Sequence, residues 1–161
     1  MSNTLKLMAL AISATLAVAP AVSAAQTGPA HEHAAHGITF DHGKQWPTDE
    51  ALRMGMTRIR QLIEPQLGAI HAGKLTAAQY AELAQKVEGQ VGYIVANCKL
   101  EPDADAMLHR VIADIGGGVD AMAGKNAKVR PAQGAGQVVT ALNEYGRIFN
   151  HPGWKPINAG H

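Results

Sequence analysis

Cysteine occurs once in the 161-residue chain, at Cys98, so no internal disulfide can form. Aromatic side chains are also scarce: two tryptophans, three tyrosines and two phenylalanines. A core of this composition must pack aliphatic and alanine side chains. Charge of one sign is missing too, since 14 Lys and Arg stand against 13 Asp and Glu for a net charge of +1, with no basic cluster. That balance excludes the electrostatic footprint of a nucleic-acid-binding protein. The absence of C-x-x-C-H excludes covalent c-type haem. No oxyanion-hole loop and no orienting third group accompany Cys98 and His109, so the chain reads as a protein that is not an enzyme.

What is present begins with an export signal. Lys6 precedes the uncharged run "LMALAISATLAVAPAVSA", which ends in small residues near Ala24, the pattern of a secretory signal peptide over residues 1–24. Pro20 interrupts the run and no stop-transfer flank follows, so the expectation is cleavage rather than a membrane span. The mature chain is expected in a periplasm, where an unpaired thiol is buried, joined to another molecule or coordinated to a metal.

Residues 25–47 form a histidine-rich N-terminal segment carrying His31, His33, His36 and His42. From residue 48 the apolar spacing becomes helical. Leu52, Met56, Ile59, Ile63, Leu67 and Ile70 draw one stripe over a first helix at about 49–72, with a kink expected at Pro65. Thr76 and Gln79 form a capping box ahead of a second helix whose stripe runs Tyr80, Leu83, Val87, Val91, Ile94 and Cys98. Pro102 should stop that helix and Asp103 cap a third, with Leu108, Ile112, Ile115, Val119 and Met122 inward. Gly116, Gly117 and Gly118 fall inside it, each costing up to about 1 kcal/mol relative to alanine. Either the helix breaks there or another backbone approaches closely. A fourth helix starts at or after Pro131, turns Val138, Leu142, Tyr145 and Phe149 inward, and stops before Pro152.

The fold expected is all-α: an antiparallel up-down-up-down four-helix bundle over residues 48–151, with a tail at 152–161. That topology gathers Met54, Met56, Cys98, His109 and His151 at one end. A thiolate, imidazoles and thioethers are ligands for soft or borderline metals, copper above all in an exported protein. The expected site is therefore Cys98, His109 and His151 with Met54 or Met56 as thioether, and His31, His33, His36 and His42 as a secondary capture tract. Copper ions are the expected partner, with sequestration, delivery or tolerance as the role. A second copper-handling protein and a homodimer are both compatible with it.

Two resemblances supply alternatives. Met56 and His151 lie where small exported b-type cytochrome bundles, which this chain resembles in architecture, place their axial haem ligands. That resemblance implies a haem b electron carrier. The stretch "LTAAQ", residues 75–79, resembles the LTxxQ motif of periplasmic metal-stress and envelope-stress helical proteins, which usually carry it twice in a helical hairpin; here it occurs once. That likeness implies a sensor or chaperone, including a metal-free interaction protein.

Overall fold

The computed structural model describes residues 37–158, and every described secondary-structure element beyond isolated β-bridges is helical. The expected signal peptide, His31, His33, His36 and His161 lie outside the described residues. Among those described, no helix is long and apolar enough to cross a membrane.

Helix α1 spans Glu50–Ile63 and is capped by the Asp49 carboxylate, which accepts the Leu52 N–H at 2.7 Å. At Pro65 a 3-10 turn, Glu64–Gln66, interrupts the path before the short α2, Leu67–His71. Proline has no N–H to offer and its ring crowds the preceding turn, so the bend falls at the expected residue. The whole expected stripe from Leu52 to Ile70 is buried. Helix α3, Ala77–Asn97, opens with the expected capping box: Thr76 N–H donates to Gln79 Oε1 at 2.8 Å, and Gln79 N–H to Thr76 Oγ1 at 3.3 Å.

Helix α4, Pro102–Met122, corrects one expectation. Pro102 is its first residue and Glu101 its N-cap, so Asp103 lies in the first turn instead of capping it. A proline without an N–H costs nothing where the first-turn amides have no helical partner. Asp103 and Asp105 then stand where carboxylates offset the helix dipole. The three glycines do not break α4. A Cβ on Gly118 would lie 2.6 Å from the carbonyl oxygen of Gly134, and a Cβ on Gly134 would lie 2.6 Å from that of Gly118. Close backbone approach to α5, Pro131–Ile148, is thus the reason for glycine at 118, while Gly116 and Gly117 face open space.

Pairings among ends position the candidate site. Lys99 N–H donates to Asp49 Oδ2 at 2.5 Å, joining the end of α3 to the start of α1. Trp46 N–H donates to Ile148 O at 2.7 Å, and Asn150 N–H to Trp46 O at 2.8 Å, so the approach to α1 runs beside the exit from α5. The described part of the N-terminal segment is docked: Thr39 N–H reaches Met107 Sδ at 3.5 Å, and Trp46 Nε1 donates to Thr39 O at 2.7 Å. Asp41 and Lys44 exchange backbone hydrogen bonds across His42 and Gly43, both at positive φ. At the other terminus, Asn143 holds the backbone of Ile157 through both its amide oxygen and nitrogen, at 2.7 and 3.0 Å.

Candidate metal site

The five helix-borne candidates separate into three surroundings. Met56 is fully buried among the core side chains of α1. Met54, about 200° around the helix from Met56, is half-buried, and its sulfur accepts the Tyr93 hydroxyl at 3.5 Å; it lines an open groove with His151. His109 contacts Asp105, and the Asp105 charge also reaches Cys98.

Cys98 is the C-cap residue of α3, in extended conformation, and half-buried. Burial, then the charge and hydrogen bond of Asp49, then the charge of Asp105, push its thiol up to about 12. Asp49, whose charge acts on the thiol, takes the N–H of Leu52 and of Lys99. Burial alone would raise the Asp49 carboxyl; these two donors, the thiol and Arg53 together hold it below its ordinary value. The surroundings of Cys98 are therefore negative, which disfavours a bare thiolate and favours any cation, proton or metal, that sits on the sulfur.

His109 follows Asp105 by one helical turn, the spacing that places two side chains on one face. Its Nδ1 lies 2.9 Å from the Asp105 carbonyl oxygen and 3.3 Å from Asp105 Oδ2. Both neighbours can only accept, so Nδ1 carries the proton, and Nε2 is the nitrogen whose lone pair a metal can take. The side chain is 64% exposed, so that lone pair is open to solvent. Metal-binding histidines commonly show this arrangement, with one nitrogen anchored to a carboxylate or carbonyl and the other free.

His151 is wired the opposite way. Its Nδ1 lies 2.8 Å from the hydroxyl of Tyr145, a fully buried residue whose phenol is raised, mainly by desolvation. Burial, and secondarily Arg53, lower the imidazole pKa, so the ring is neutral. The phenol donates to Nδ1, which leaves the proton on Nε2. Trp154 packs beside both rings, over Gly146.

No three His, Cys, Asp or Glu side chains converge into a ready-made metal cage among the described residues. Of the secondary tract only His42 is described; it is exposed, in the turn beside Asp41. Asp49, Asp105 and Tyr145 escaped the sequence reading as partners of the candidates. The four-residue interval from Asp105 to His109 on one helix was a visible signal; the contacts of Asp49 and Tyr145 depend on tertiary packing. Comparison with known protein families, curated proteins and solved structures finds no match for this chain.

Proposed function

We propose that this is an exported copper-binding protein serving copper sequestration, delivery or tolerance, its helices forming an antiparallel up-down-up-down bundle. Copper is held at the α3–α4 junction by the Cys98 sulfur and the His109 Nε2, with Asp105 between them. The observation that carries the reading is the anchoring of His109 Nδ1 by Asp105, which leaves Nε2 of an exposed ring for a metal, beside a carboxylate whose charge also reaches the only thiol. Copper replaces the thiol proton, and the negative field of Asp49 and Asp105 that retains that proton retains the cation instead. His31, His33, His36 and His42 supply a separate, secondary tract for copper capture.

His151 and Met54 stand outside this site. Metal on His151 Nε2 would force its proton to Nδ1, opposite the Tyr145 hydroxyl, and strand a buried donor. The test is copper uptake by residues 25–161 in competition with a chelator, for wild type, Cys98→Ser, His109→Gln and a deletion of residues 26–37. Near one copper per chain, lost in Cys98→Ser and weakened at least about tenfold in His109→Gln, supports the site. Unchanged uptake in both variants, or an intense Soret band after growth with haem, overturns it.

A further inference from the structure

The groove-lining side of α1 carries more cations than carboxylates, the latter being Glu50 in one groove and Glu64 in the other. Arg53, Arg58 and Arg60 lie along it, and the chain beyond α5 adds Lys155, whose carbonyl accepts from Arg60 Nη1. Glu64 compensates Arg60, with Nε to Oε2 at 2.9 Å. Arg53 donates to the uncharged Thr48 oxygens at 2.7 and 3.1 Å, with Asp49 offsetting part of its charge. Arg58 rests against Tyr93, its Cζ 5.3 Å from the ring centroid, and pairs with no carboxylate among the described residues.

These groups rim two adjoining grooves of about 450 and 430 Å³, which share Thr57, Gln61, His151 and Pro152. Both grooves are framed by α1 on one side and residues 151–155 on the other. The Tyr145 hydrogen bond leaves His151 with an Nε2–H, a neutral donor on a residue that lines the same groove as Thr57. Guanidinium groups with neutral N–H and O–H donors in a concave surface are the recognition set for oxyanions.

We infer that this groove binds a small multivalent oxyanion, a phosphate or a polycarboxylate, clamped by Arg53 and Arg58 with Thr57 Oγ1 and His151 Nε2–H completing the contacts. The site is independent of the copper proposal: it has the opposite charge preference and shares none of that site's residues.

The test is isothermal titration of metal-free residues 25–161 with inorganic phosphate and, separately, with citrate, at fixed ionic strength and with chloride as reference. The expected result is saturable one-to-one binding of at least one anion in the micromolar to low-millimolar range, weakened about tenfold or more by Arg58→Gln. Lys128→Gln, remote from the groove, leaves it unchanged. His151→Gln retains an N–H donor and preserves binding, whereas His151→Phe weakens it. Arg58 is exposed, so its variant folds. Preference between the two anions identifies the source chemistry. No saturable binding of either anion, or binding that Arg58→Gln and Lys128→Gln affect equally, overturns the inference. Arg58→Gln leaves copper uptake unaltered and Cys98→Ser leaves anion binding unaltered, so the two proposals fail separately.

Discussion

The Tyr145 hydroxyl lies 2.8 Å from Nδ1 of His151, and the burial of both groups fixes the direction of that hydrogen bond. The phenol keeps its proton and donates it; the imidazole is neutral and accepts. Nitrogen-15 spectra of the ring at neutral pH will show the Nε2–H tautomer. Tyr145→Phe removes the donor, mixes the tautomers and costs about 1 kcal/mol of stability. An Nδ1–H ring in the wild type would reverse the roles assigned to His151.

The α4–α5 crossing makes a contrast between neighbouring glycines. Gly118→Ala drives a Cβ into the Gly134 carbonyl and the Val138 side chain, and should destabilise by about 1–3 kcal/mol in urea unfolding. Gly117→Ala meets nothing within 4 Å and should stabilise by up to about 1 kcal/mol through helix propensity. Equal effects of the two would mean that the helices do not meet at Gly118.

Much of this architecture is legible in the sequence. The stripe from Leu52 to Ile70, the Thr76 capping box and the bend at Pro65 are local, because each rests on a spacing of three or four residues or on a proline ring. The triple glycine left two readings open, since a backbone approaching from residue 134 is a long-range event. Pro102 misled because proline ends one helix and begins another with equal ease. The same limit governs the site: periodicity placed Cys98 near an inward face, but only packing brings Asp49 to its sulfur and Tyr145 to His151. Met56 followed its stripe into the core, whereas Met54, read as outward, is half covered by Tyr93.

Two groups shape the acid side of stability. Asp49 is depressed in the folded state, so its contribution is complete above the unfolded carboxyl value near 4 and is lost as pH falls through the folded value. His151 is also depressed, but as a base. The unfolded chain therefore binds its proton first, and stability declines as pH drops from about 6.5 toward the folded value. His151→Gln should flatten the limb near pH 6, and Asp49→Asn the limb below about 4, in denaturant midpoints measured against pH. A stability profile unaffected by either substitution would remove both groups from the account.

Copper binding must displace a proton from Cys98, whose thiol is pushed up to about 12. Binding should release one proton per copper, and affinity should fall about tenfold for each unit of pH lowered across the neutral range. Titration in weakly buffered solution checks the release. Proton-neutral binding would mean that the thiol is not a ligand.

The most direct measurement is X-ray absorption at the copper edge of copper-loaded residues 25–161, beside Cys98→Ser and His109→Gln. Wild type will show a sulfur scatterer and imidazole shells, with the sulfur shell lost in Cys98→Ser and the imidazole signal reduced in His109→Gln. A sulfur shell that survives Cys98→Ser would place copper on a methionine, and a chain that retains no copper would contradict the proposed function itself.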